Sequence, residues 1–167
     1  MPQDQFYGPK RPKSIGVLFV FVEGVQWYDM FTDPWYKAGL SFECKRCGRC
    51  CGGGPGFVWV TSQDIENLAK KLGLPTGVFE QAFVYTVRGN QKSLKEYSNG
   101  DCVLLDEKTR GCKAYEARPL QCRTWPFWPQ NVATEKSWKT TAKNCPGCNR
   151  GKLYTLDEIE ERRVKFD

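Results

Sequence analysis

Cys44-Lys45-Arg46-Cys47-Gly48-Arg49-Cys50-Cys51 sets four thiols within eight residues of a 167-residue chain that has nine cysteines and no histidine. Its Cys-x2-Cys-x2-Cys spacing brings three soft ligands within reach of one zinc ion or one iron-sulfur cluster, because two intervening residues let a tight turn aim neighbouring sulfurs at a common point. Thiolates without imidazoles point to an all-sulfur metal site. Five more cysteines, Cys102, Cys112, Cys122, Cys145 and Cys148, stand downstream to complete it. The chain is therefore expected to fold around metal-binding loops as much as around an apolar core.

Composition agrees. Ten Phe, seven Tyr and six Trp, within 40% hydrophobic residues, suffice for one ordinary domain. The predicted class is α+β: a small domain of short strands, a few helices and cysteine-rich loops. Residues 1–40 read as an N-terminal segment with one strand, part of the same domain; 41–152 as the cysteine-cluster metal-binding domain; 153–167 as a C-terminal helix. The polar, proline-bearing first dozen residues and the short apolar run 15–22 predict neither a signal peptide nor a membrane span. Nine cysteines without an export signal suit the reduced cytoplasm better than a disulfide framework, although Cys102 and Cys112 are spaced as a bridge across a hairpin would be.

The formal charge of +6 counts every cysteine as neutral. A zinc ion or an oxidised four-iron cluster held by four thiolates leaves about −2 at the site, so the basic excess has a local use. Lys45, Arg46 and Arg49 lie among the clustered cysteines, and Lys113, Arg118, Arg123, Lys143 and Arg150 lie near the later ones. Balancing sulfur charge is the first reading, with nucleic-acid binding second and disfavoured. Arg118 and Arg123 are candidates to contact the cofactor or a substrate anion, or else to form structural salt bridges.

Along the chain, residues 15–22 (IGVLFVFV) read as a buried strand and 57–60 (FVWV) as a second. Residues 61–73 predict a helix, with a Thr61/Asp64 capping box, an inward face of Ile65, Leu68, Ala69 and Leu72, and Gly73 as its stop. Residues 76–85 predict another, with Phe79, Ala82 and Phe83 inward. Residues 102–106 and 112–115 read as hairpin arms carrying one cysteine each. Pro119 makes 116–129 a loop with at most one helical turn. Thr155 and Glu158 open a last helix, anchored by Ile159. Trp125, Phe127 and Trp128 read as core aromatics covering the site.

Successive side chains diverge, so Cys50 and Cys51 are hard to aim at one tetrahedral centre. Two sites follow, or one cluster and a free thiol. Ferredoxin-like spacing combines with a Cys-Pro, here Cys145-Pro146, which assigns Cys44, Cys47, Cys50 and Cys145 to one cluster. Cys51, Cys102, Cys112 and Cys122 remain for a second metal, with Cys148 spare. Zinc at both sites is the competing assignment. The glycine-rich 52–56 lacks the lysine of a phosphate loop and leads into a strand. Without histidine, no Ser-His-Asp or Cys-His catalytic arrangement is available within the chain.

From Phe42-Glu43-Cys44 through Cys47-Gly48-Arg49-Cys50-Cys51, Gly111-Cys112, Tyr115-Glu116-Ala117-Arg118-Pro119 and Gln121-Cys122-Arg123 to Cys145-Pro146-Gly147, the residues resemble the zinc- or iron-chelating CxxCxxCC proteins, also called YkgJ-like cysteine cluster proteins. The likeness covers roughly two thirds of the chain. It implies eight motif ligands, Cys44, Cys47, Cys50, Cys51, Cys102, Cys112, Cys122 and Cys145, with Cys148 outside the pattern. Its wider membership looks to include flagellin lysine N-methylases. Nothing in these residues identifies a methyl-donor pocket, and the first forty fall outside the likeness, so that activity is not carried over.

The expectation is a cytoplasmic protein holding an iron-sulfur cluster, 4Fe-4S favoured over zinc, with a second cysteine-ligated metal, used in redox or cluster-dependent group transfer. Two alternatives stand beside it: a non-enzymatic zinc module that binds another macromolecule, and a metal storage or delivery protein. Its partners are metal ions and an unidentified protein or small molecule.

Overall fold

The computed structural model describes residues 33–163. The predicted strand at 15–22 lies outside the described residues, as does the end of the C-terminal helix beyond 163. By its own contacts the chain divides into Met1–Thr32 and Asp33–Asp167, and every described residue belongs to the second unit. That unit is α+β, with short helices and two small antiparallel sheets.

The first half folds from local rules. Helix α1, Ser62–Leu72, starts at Thr61, whose hydroxyl accepts from Asp64 N–H at 3.1 Å while the Asp64 carboxylate accepts from Thr61 N–H at 3.0 Å. Gly73 ends it in the left-handed conformation. Ile65, Leu68 and Ala69 are buried as predicted. Thr61→Ala removes the cap and is expected to lower stability by about 1 kcal/mol in urea or thermal unfolding.

Helix α2, Thr76–Phe83, buries Phe79 completely. It stops two residues short of the prediction, and Ala82 is exposed rather than inward. The reason is that Val84, Tyr85 and Thr86, β-branched or aromatic, form strand β1 (Val84–Thr86), which pairs antiparallel with β2 (Lys92–Leu94), Val84 opposite Leu94. Residues 57–60 run extended beside β2. Leu94 N–H donates to the Val58 carbonyl and Val60 N–H to that of Lys92, each at 3.0 Å, and Trp59 makes one isolated bridge with Ser93.

The predicted hairpin is borne out in its pairing, Lys113 N–H donating to the Leu104 carbonyl at 2.9 Å and Asp106 N–H to that of Gly111 at 2.8 Å, but not in its strands. Cys102 bridges Glu96, and Leu105 bridges Cys112. Val103, Leu104 and Leu105 are all buried, and three consecutive inward residues cannot alternate as a strand does. The chain turns instead, Leu105 N–H reaching the Cys102 carbonyl at 2.8 Å. Val103, Leu104 and Ala114 complete a first apolar core with Ile65, Leu68 and Phe79, and Cys102 and Cys112 pack against it.

Residues 116–129 are also more helical than predicted. A 3-10 turn, Tyr115–Ala117, precedes α3 (Leu120–Thr124), and α4 (Pro129–Val132) follows. Pro119 stands at the N-cap of α3 and Pro129 in the first turn of α4, where a missing N–H costs nothing. Helix α5, Glu135–Asn144, was not predicted. Thr134 caps it, its hydroxyl accepting from Ser137 N–H at 3.0 Å, and it buries Trp138 and Thr141.

Two strands absent from the sequence reading, β3 (Leu40–Phe42) near the start of the described residues and β4 (Lys152–Tyr154) near their end, pair antiparallel with Leu40 opposite Tyr154. Helix α6, Leu156–Arg162, carries the predicted Thr155/Glu158 capping box and buries Ile159. Phe42, Phe127, Val132, Trp138 and Ile159 form a second core, which includes Cys145 and Cys148 and borders Cys44. The Phe127 ring lies parallel to Trp138 at 6.0 Å and tilted against Tyr154 at 4.8 Å.

Candidate metal centre

The cysteine loop leaves β3 directly. Glu43 N–H donates to the Gly147 carbonyl at 3.1 Å, and a Cβ on Gly147 would run into the Glu43 carbonyl. That close approach fixes the Cys44 and Cys145 segments side by side. Gly48 turns the loop at φ 68°, and a Cβ there would strike the Arg110 carbonyl and the Leu105 side chain. The 3-10 turn Arg49–Cys51 follows, Cys51 N–H bonding the Gly48 carbonyl at 2.9 Å. Cys102 N–H donates to the Cys51 carbonyl at 2.7 Å, which ties this loop to the first core.

The turn overturns one expectation. The Cys50 and Cys51 sulfurs do not diverge: they stand 3.8 Å apart. Cys44, Cys47, Cys50, Cys51, Cys112, Cys122 and Cys145 line one hollow of about 640 Å³. A neighbouring hollow of about 280 Å³ shares Cys50, Cys51 and Cys122 and adds Cys102. The proposed first set and most of the second thus face the same space. Cys148 lines neither hollow; it is buried beside Cys145.

Charge in this space is crowded. Burial pushes the Cys102 thiol up to about 11, and burial with the neighbouring Cys102 also raises Cys122. Burial raises Cys112. The hydrogen bond between Cys50 and Cys51 lowers the first and raises the second. Cys145 is lowered to about 5, mainly by the Cys148 thiol and then by the Trp125 indole, whose N–H lies 3.4 Å from its sulfur. Buried thiols that repel one another as thiolates are stabilised by a cation placed among them.

Lys45, Arg46, Arg49, Arg110 and Arg118 line the larger hollow, and no carboxylate does. The sequence reading named four of these and missed Arg110, which Asp101 holds by two hydrogen bonds of 2.6 and 3.0 Å. Asn99 steadies the same carboxylate at 3.1 Å; the Asn99-Gly100-Asp101 turn was the available signal. Lys113, Arg123, Lys143 and Arg150 line neither hollow, and Arg123 is exposed. Trp125 lines the hollow and Phe127 is core, as expected.

Arg110 keeps the Asp101 carboxyl below its ordinary range. A carboxylate depressed in the folded state contributes stability above the unfolded value and loses it as pH falls through the folded one. Asp101→Asn is therefore expected to melt below wild type at neutral pH, with the gap closing as pH is taken below the usual carboxylate range.

Among the described residues, no group of three or more cysteine, aspartate or glutamate side chains stands assembled as an ion site. The sulfurs surround a cavity instead. A wall whose acidic ligand groups are thiols, without carboxylate or histidine, suits zinc or iron.

Residues 43–146 match the family designated CxxCxxCC, "Putative zinc- or iron-chelating domain", and the chain belongs to that family. It is 36% identical over 92 residues to Uncharacterized protein MJ0661 of Methanocaldococcus jannaschii, an alignment covering 55% of this chain and 48% of the relative. The chain thus spans about half the length of that curated relative. No solved structure matches it. Cys148 lies beyond the matched span, and no helix among the described residues is long and apolar enough to cross a membrane.

Proposed function

We propose that this protein is a cytoplasmic iron-sulfur protein, with a 4Fe-4S cluster in the larger hollow used in redox or cluster-dependent group transfer. Cys44, Cys47, Cys50 and Cys145 are the assigned ligands; Cys51, Cys102, Cys112 and Cys122 are left for a second metal. The observation that carries this reading is seven cysteines and five cations around one carboxylate-free cavity. A four-iron cluster on four thiolates would supply electron transfer and carry about −2. Arg118 and its cationic neighbours balance that charge, and Trp125 N–H at the Cys145 sulfur tunes it.

A second reading, a structural zinc module, is favoured by the two separate apolar cores. Cys102 and Cys112 border one, and Cys145 and Cys148 belong to the other, which Cys44 borders, so metal between them would join the halves. Anaerobic purification with measurement of iron, zinc, acid-labile sulfide and the visible spectrum separates the two. Near-stoichiometric iron and sulfide with a brown chromophore supports the cluster; colourless protein containing zinc alone overturns it.

A further inference from the structure

The cations around the hollow differ in what already holds them. Lys45 pairs with Glu43 at 2.7 Å and Arg110 with Asp101. Among the described residues, Arg49 reaches only the Asn144 carbonyl, at 3.5 Å. Arg46 and Arg118 have no ion-pair partner among the described residues. Their guanidinium carbons lie instead 4.0 and 3.7 Å from the centroid of a single ring, Tyr115.

This stack is held in place. Arg118 Nε–H donates to the Tyr115 carbonyl at 2.8 Å. Arg46 sits at φ 51°, a left-handed backbone that an arginine adopts only under constraint. Among the described residues, neither guanidinium donates a terminal N–H to another group, so both forks are available to a ligand. The two guanidinium carbons are separated by no more than the sum of their distances to the shared centroid. A phosphate or carboxylate bridges such a span with a charge-assisted hydrogen bond of about 2.8 Å to each.

We propose that Arg46 and Arg118, mounted on Tyr115, form a binding site for the oxyanion of a small-molecule substrate, a carboxylate or a phosphate, at the wall of the hollow. The site deepens the cluster reading by naming the substrate class of the same cavity, and it rests on that reading. Compensation of sulfur charge alone needs two positive charges near the thiols; it needs neither planar forks nor a shared aromatic mount.

Arginine-to-lysine variants separate these roles, because they keep the charge and lose the fork. Anaerobically purified protein is titrated with inorganic phosphate and, separately, with acetate, following line broadening of the anion by NMR. Iron, zinc and sulfide are measured on the same samples. Wild type is expected to bind at least one probe saturably, and the preferred one identifies the headgroup. Arg46→Lys and Arg118→Lys should each weaken binding about tenfold or more with metal content unchanged, while Arg123→Lys, outside the hollow, binds as wild type. Arg46→Gln and Arg118→Gln provide a second test.

No saturable binding by wild type overturns the site. So does equal weakening by Arg123→Lys, or metal loss in step with anion loss across the lysine and glutamine variants. Saturable, arginine-dependent binding by a protein that contains zinc and no sulfide sustains the oxyanion site and removes the cluster reading, so the two failures are distinguishable.

Discussion

Cys47→Ser and Cys122→Ser are each expected to lose metal and folding stability together. The cause lies in the division of the apolar interior. One core is built on α1 and α2 with Ile65, Leu68 and Phe79, the other on β3, α5 and α6 with Phe42, Phe127 and Ile159. Cys102 and Cys112 border the first, Cys44 borders the second and Cys145 belongs to it. Binding free energies for structural zinc reach about 10 to 16 kcal/mol, comparable with or greater than the whole stability of an ordinary domain. Withdrawing a ligand therefore threatens the fold as a whole. Metal content and thermal unfolding on the same samples check this. A variant stripped of metal that still melts near the wild-type temperature would mean the cores hold together unaided. Cys148→Ser serves as the control, since that thiol lines neither hollow and serine keeps a donor beside Cys145: both quantities should stay close to wild type.

Phe127→Ala should lower stability by about 3 to 5 kcal/mol, the usual cost of emptying a fully buried phenylalanine site. Phe127 is 1% exposed and its ring meets Phe42, Trp138 and Tyr154. Those partners come from β3, α5 and β4, so collapse around the void would need three elements to shift at once. Urea unfolding measures the loss, and metal stoichiometry in the native baseline should be unchanged because no sulfur is removed. A loss under about 1 kcal/mol would show that the second core depends little on this ring.

What could be read from the sequence follows from the range of the interactions. Capped helices announce themselves within one turn, and so Thr61 with Asp64 and Thr155 with Glu158 located α1 and α6 closely. The cysteine spacing likewise located the thiol-rich loop that lines the hollow. Elements that owe their state to distant partners were missed or misjudged. Strands β3 and β4 are three residues each and exist because they pair across more than a hundred positions. Helix α5 has a sparse apolar face and is held by Trp138 against the Phe127 ring. The buried run Val103, Leu104 and Leu105 looked like a strand because burial on every side does not declare its period. At the site, Arg110 was missed because its role depends on Asp101, nine residues earlier, and the Asn99-Gly100-Asp101 turn hints at that carboxylate without naming its partner. The convergence of Cys50 and Cys51 was missed for the same kind of reason: the rule for extended or α-helical backbone does not describe a 3-10 turn.

Gly147 against Glu43 also has a meaning in time. It holds the last proposed ligand, Cys145, beside the first, Cys44. At synthesis rates of about 5 to 20 residues per second, the ribosome needs about 5 to 20 s to travel from one to the other. Throughout that interval the clustered thiols of Cys44, Cys47, Cys50 and Cys51 are already made, and the chain that completes the hollow is not. On the proposed ligand set, loading belongs to the finished chain, and the nascent protein needs a reducing environment until then.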